Sequence, residues 1–152
     1  MTGLYWSALM LGRLAGPAIH ARMGKLPIVS AAAVVVALAF GGVSLAPDAR
    51  ALGVVVALLG LALGPMAPTV LSVAGDRYTR GTGTVFGVML SLGQIGSVAL
   101  PWTVARVAAA SGFRTAMLVP AAAAALLAFA AGGLWMRAAA RGDLRRVPAE
   151  VP

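Results

Sequence analysis

Four stretches of this chain run on without a single charged side chain: Ile28–Ala46, Leu52–Ala74, Thr84–Ala105 and Thr115–Met136. Each is about as long as the roughly 20 apolar residues that carry a helix across a bilayer. Few other sequence features restrict a fold so strongly. In hydrocarbon every backbone N–H and C=O must be satisfied internally, which leaves helices or a closed barrel. Runs of this length without period-two alternation point to helices. A fifth stretch, Thr2–Ile19, is apolar apart from Arg13. It does not read as a secretory signal, because its positive charge lies inside the apolar part rather than ahead of it.

The expected architecture is an all-α integral membrane bundle of five transmembrane helices. The spans are expected at about 2–20, 28–46, 52–74, 84–105 and 115–136, with a bundle domain at 1–137 and a basic cytoplasmic tail at 138–152. Composition agrees. Charged residues make up 11% of the 152-residue chain, against roughly a quarter in a soluble domain, so the polar surface is too small to clothe a globule in water. The connections are short, at about 20–27, 47–51, 75–83 and 106–114, and each carries turn or charge signals. Short connections make successive helices antiparallel neighbours.

The distribution of cations gives an orientation. Arg22, Lys25, Arg77, Arg80, Arg137, Arg141, Arg145 and Arg146 fall at one end of the expected bundle, and Arg50, Arg106 and Arg114 at the other. The positive-inside rule places the larger set in the cytoplasm, with the C-terminus inside and the N-terminus outside. Tyr5, Trp6 and Trp102 then lie near the outer boundary, and Tyr78 and Trp135 near the inner one. The net charge of +8 is juxtamembrane in placement and has no aromatic interleaving, which argues against a nucleic-acid surface.

The inventory for chemistry is thin. There is no cysteine, one histidine (His20) and four carboxylates (Asp48, Asp76, Asp143 and Glu150). No two acids share an apolar segment and no cluster has metal-ligand spacing. The chain is therefore expected to be no enzyme, to hold no metal and to need no cofactor. His20 beside Arg22 reads as an interfacial residue or, less well placed, a proton carrier.

Helices in lipid associate by close backbone approach. Gly12 and Gly16, Gly60 and Gly64, and Gly83 and Gly87 are each four apart and each make a smooth strip on one helix face. Pro65 and Pro68 interrupt the third apolar run, and Pro101 and Pro120 the fourth and fifth. These prolines either bend their helices or open a hinge beside a cavity.

Several side chains are candidates for a solute pathway or a charge network. Gln94 stands near the middle of the fourth run with Ser91 and Ser97 three residues to either side. An amide there lines a pathway or bonds a neighbouring helix. Arg13 costs about 2.5–3.5 kcal/mol at mid-helix on insertion scales, and Asp76 is its nearest expected partner. That pair would be a structural or gating contact, with direct solute contact the alternative. Thr69 and Ser72 follow the Pro65–Pro68 break, where Thr69 faces a cavity or bonds back to its own helix. Tyr5 and Trp6 anchor at the interface or stack on a ligand.

The turn Gly12–Leu26, GRLAGPAIHARMGKL, resembles the signature between the second and third helices of each half of major facilitator superfamily transporters. Arg22-Met23-Gly24-Lys25 matches its closing Arg-x-Gly-basic element, while Ala21 stands where the family has an acid. The stretches Gly64–Val70, Gly75–Tyr78 and Arg80–Gly87 are similar to the C-terminal half of the fucose permease-like branch. The resemblance covers about residues 3–137 and implies helices eight to twelve of a twelve-helix fold. It implies a segment of a secondary active transporter, incomplete alone, that moves a small solute such as a sugar by alternating access. The implied pathway runs along the first, third and fourth helices, which carry Tyr5, Met66, Thr69 and Gln94. Arg13, Arg22 and Asp76 would form the charge network. The implied partners are the lipid bilayer, the solute, and a missing N-terminal half or another copy. The expected location is a bacterial inner membrane. The competing expectation is a stand-alone five-helix scaffold or partner subunit without transport.

Overall fold

The computed structural model describes residues 2–20 and 24–141. All the regular structure among them is helical: α1 (Thr2–His20), α2 (Lys25–Leu45), α3 (Ala49–Leu63), α4 (Met66–Arg77), α5 (Thr82–Ser111), α6 (Phe113–Ala116) and α7 (Leu118–Ala140).

Two expected single spans are divided. The third breaks at Gly64-Pro65 into α3 and α4. Proline lacks an N–H, so Pro65 leaves the Leu61 carbonyl, and Pro68 the Gly64 carbonyl, without the usual helical donor. The axis still carries on, because Gly64 N donates to Gly60 O and Thr69 N to Pro65 O. The last expected span breaks at Met117 into α6 and α7. Pro120 then falls in the first turn of α7, where a missing N–H costs little. Pro101 leaves α5 undivided.

The fourth span runs past its expected end at Ala105 to Ser111. The segment Arg106–Ser111 is good helix-forming sequence, and the chain turns only at Gly112, whose φ of 85° suits glycine alone. At the same end of the bundle Asp48 caps α3, accepting from Ala51 N at 2.7 Å.

Among the described residues four helical units are, by length and composition, long and apolar enough to cross a membrane: Lys25–Leu45, Ala49–Arg77, Thr82–Ser111 and Phe113–Ala140. The first expected span is not among them. α1 has the length, but Arg13 together with Gly12, Gly16 and Pro17 dilutes its hydropathy. Large side chains face outward in numbers a water-soluble fold would not tolerate; Phe129 is 86% and Leu38 71% exposed. Lipid is the solvent that makes such a surface stable.

The helices pack as a row, α1 on α3, α3 on α2 and α2 on α7. α2 buries Ile28, Val29, Ala32, Ala33, Val36 and Ala39, a helical spacing that forms one broad face. Across it lie Pro120, Ala124 and Ala131 of α7. These contacts are made by small residues, and Ser30 adds a bond to the Ala128 carbonyl at 3.4 Å. The α1–α3 crossing is tighter still. A Cβ on Gly60 would fall 2.6 Å from the Tyr5 carbonyl oxygen, one on Gly64 2.6 Å from that of Leu9, and one on Gly12 would collide with that of Leu61. Backbone touches backbone there, as van der Waals association in lipid requires.

α5 is different. None of its residues is buried, and residues 91–100 are exposed throughout. It is attached near its ends, to α4 at its start and to α6 and α7 at its finish.

Candidate solute-facing site

The ends of the bundle sort as the short connections require. At one end Lys25 of the first connection meets Asp76 of the third. At the other, the Ser44 hydroxyl donates to the Arg114 carbonyl at 2.8 Å, joining the second connection to the fourth.

The break at Gly64-Pro65 lies beside a cleft between the row and α5. The cleft, of about 350 Å³, is lined by Leu63, Met66 and Val70 on one side and by Met89 and Leu90 of α5 on the other. It exists because α5 leaves the row after Phe86, whose ring lies 3.6 Å from where a Cβ on Gly75 would stand. Met66 lines this cleft. Its thioether and that of Met89 are flexible and polarizable, suited to an adaptable lining.

Thr69, one turn on, takes another role. It is 1% exposed and its hydroxyl donates to the Pro65 carbonyl at 2.5 Å. That oxygen also accepts from Thr69 N. Of the two expected roles, the structure gives Thr69 the back-bond that steadies the break.

Gln94 is exposed on the outer stretch of α5, beside an open hollow of about 540 Å³ that it lines with Ile95, Val98, Ala99 and Trp102. The Ser97 hydroxyl donates to the Gln94 backbone carbonyl at 2.8 Å and lies 3.3 Å from its Oε1. Among the described residues no other helix bonds the Gln94 amide. Above the hollow the Arg106 guanidinium lies 4.9 Å over the Trp102 ring, an arrangement typical of an interfacial anchor. Gln94 lies about one turn beyond Leu90 along α5, and its hollow is lined by α5 residues, apart from the cleft that Met66 lines.

Tyr5 stands apart from both. It is half-buried on α1, its ring edge-on to Trp6 at 5.5 Å, and its carbonyl is part of the α1–α3 crossing.

The charge network is rearranged from the expected one. Asp76 accepts from Lys25, not from Arg13. The reason is depth. Lys25 opens α2 and Asp76 is the penultimate residue of α4, so both sit at the bundle end, whereas Arg13 lies about two turns inward along α1. Arg13 instead lines, with Lys25 and Ser72, a cavity of about 330 Å³ beside Gly16 and the two prolines of the break. Arg22 lies outside the described residues. Lys25 was legible as a partner from parity alone, since the first and third connections of an antiparallel bundle share one end.

Compared with protein-family models, with curated proteins and with solved structures, the chain matches none.

Proposed function

We propose that the chain is one part of a secondary active transporter, working with a further helical bundle to move a small solute by alternating access. A sugar is the solute class the sequence resemblance points to, and a bacterial inner membrane with the C-terminus cytoplasmic is the setting. The observation that carries this reading is bare α5. A helix apolar enough to span a membrane, with Gln94 and Ser97 at mid-length and no buried residue, presents polar groups that lipid cannot satisfy. Water in a pathway, or a solute, satisfies them. The Met66–Met89 cleft and the proline break beside it supply an adaptable wall and a bend, features that suit a moving pathway.

The chain has no cysteine, so a single introduced thiol can be read without background. Gln94→Cys and Met66→Cys, expressed in host membranes, are expected to react with a membrane-impermeant maleimide and to be protected by transported solute. Phe129→Cys, on the lipid-facing side of α7, is expected to stay unlabelled. Silence at both Gln94→Cys and Met66→Cys overturns the proposal.

A second reading has one observation in its favour. The row α1–α3–α2–α7 packs without α5, as in a scaffold that offers α5 to a partner protein. On that reading Gln94→Cys is shielded in the complex and becomes reactive only when the partner is removed.

A further inference from the structure

Arg13 has a charge to satisfy, and among the described residues no carboxylate pairs with it. It lies seven residues before the end of α1, about 10 Å along the helix, at a depth where an uncompensated guanidinium is unfavourable. Two carboxylates fall among the described residues. Asp48 is at the opposite end of α2 and caps α3. Asp76 is taken by Lys25. Asp143 and Glu150 lie outside the described residues.

The surroundings of Arg13 form a cavity. Its volume of about 330 Å³ is on the order of ten water volumes, room for a phosphate group with part of its hydration. The space follows from the sequence. Gly16 has no side chain, and a Cβ there would already touch Pro65 at 3.5 Å. Pro65 and Pro68 shape the opposite wall. Arg13, Lys25 and Ser72 are the lining residues that carry a donor group, on walls that are otherwise apolar. Arg13 and Ser72 are exposed and Lys25 is 38% exposed, so the pocket is reached from outside.

We propose that this cavity binds a phosphate-bearing anion, with Arg13 as the principal ligand and Lys25 and Ser72 as auxiliary donors. Guanidinium matches phosphate oxygens in a bidentate way. Two sources share this chemistry: the headgroup of an anionic phospholipid and a soluble phosphate. The proposal needs only that the bundle sits in a bilayer and does not depend on transport. Asp76 competes with the anion for Lys25, so neutralising it improves the site.

The test uses the full chain purified in neutral detergent. Binding of phosphatidylglycerol, of inorganic phosphate and of diacylglycerol (the same tails without a phosphate) is followed by native mass spectrometry. Saturable binding of phosphatidylglycerol or phosphate is expected, with none of diacylglycerol. Arg13→Gln should weaken it roughly tenfold, the loss of a charged hydrogen bond. Arg13→Lys should retain part of it, Asp76→Asn should tighten it, and Arg106→Gln at the other end should leave it unchanged. Binding of phosphatidylglycerol alone identifies the headgroup as the source. Competition by inorganic phosphate identifies a soluble anion. Equal binding by Arg13→Gln and the parent chain, no saturable binding of either phosphate probe, or equal retention of diacylglycerol would overturn the proposal. Should Arg13→Gln fail to fold, Arg13→Lys and Asp76→Asn carry the test. Unchanged binding in both would also overturn it.

Discussion

The α1–α3 crossing and α5 carry the same sequence device and use it in opposite ways. Gly12 and Gly16 on α1 and Gly60 and Gly64 across the crossing are spaced four apart, and so are Gly83 and Gly87 on α5. At Gly12, Gly60 and Gly64 an added Cβ meets a neighbouring backbone, at 2.6 Å for the latter two. At Gly83 and Gly87, and at Gly93 and Gly96 further along, it meets nothing within 4 Å. A strip of small residues is therefore half of an interface. What turns it into packing is a second helix of matching smoothness, and α3 supplies that to α1. Nothing among the described residues supplies it to α5.

The largest effect that can break this comparison is at the crossing itself. Gly60→Leu must drive two backbones apart, since the atoms it strikes belong to the main chain of α1. A loss of about 3 kcal/mol is expected, the upper end for overpacking, read as a fall in the midpoint of unfolding in detergent. Gly87→Leu in the same chain should stay within about 0.5 kcal/mol, as for a surface change. Equal losses at the two positions would mean that α5 packs within the chain after all. A loss at Gly87 that appears only in host membranes would mean that α5 meets its partner there.

How much of this was legible beforehand follows physical lines. Apolar runs without charge marked the four candidate spans, and Pro65 and Pro68 marked the break in one of them, because span length and a missing N–H are properties of the local chain. The end of α5 was misjudged at Ala105. Arg106 looked like a boundary, yet arginine can lie along a helix end with its head in the interface, and only Gly112 stops the helix. By hydropathy α1 stands outside the four candidate spans, since a single arginine with two glycines and a proline outweighs the apolar residues around it. Whether a glycine strip is occupied was not legible, because that depends on the partner surface. The pairing of Asp76 with Lys25 rather than Arg13 was legible in principle from their positions at the ends of α4 and α2.

A middle-sized effect separates the two faces of the break between α3 and α4. Thr69→Val removes a buried hydroxyl donor, and its acceptor, the Pro65 carbonyl, keeps the bond from Thr69 N. The Pro65 carbonyl is not orphaned, so about 1 kcal/mol is expected for this bond, the net worth of an ordinary hydrogen bond. Met66→Leu, on the cleft side, conserves volume and should cost less than that in stability. In the transporter reading Met66→Leu still alters solute selectivity, because the cleft loses a flexible side chain opposite Met89. A stability loss larger for Met66 than for Thr69 would show the cleft to be core rather than pathway.

The smallest effect concerns the Lys25–Asp76 pair, and it sharpens what holds the row together. Its two side chains are 38% and 65% exposed, so water and salt screen them and the pair is worth less than about 1 kcal/mol. Lys25→Met should therefore lower the unfolding midpoint only slightly, and the difference should vanish in high salt. The crossing at Gly60 has no charge to screen and should be indifferent to salt. A salt-insensitive loss in Lys25→Met would assign the lysine stem, rather than its charge, to the packing of α2 on α4. The contrast matters because the two contacts answer different needs. Backbone contact between α1 and α3 fixes the row, whereas a weak pair at the bundle end can open without unfolding it. In this molecule rigidity is supplied by glycine and freedom by exposed charge, and α5, which has neither kind of contact along its middle, is the element left to move or to be met.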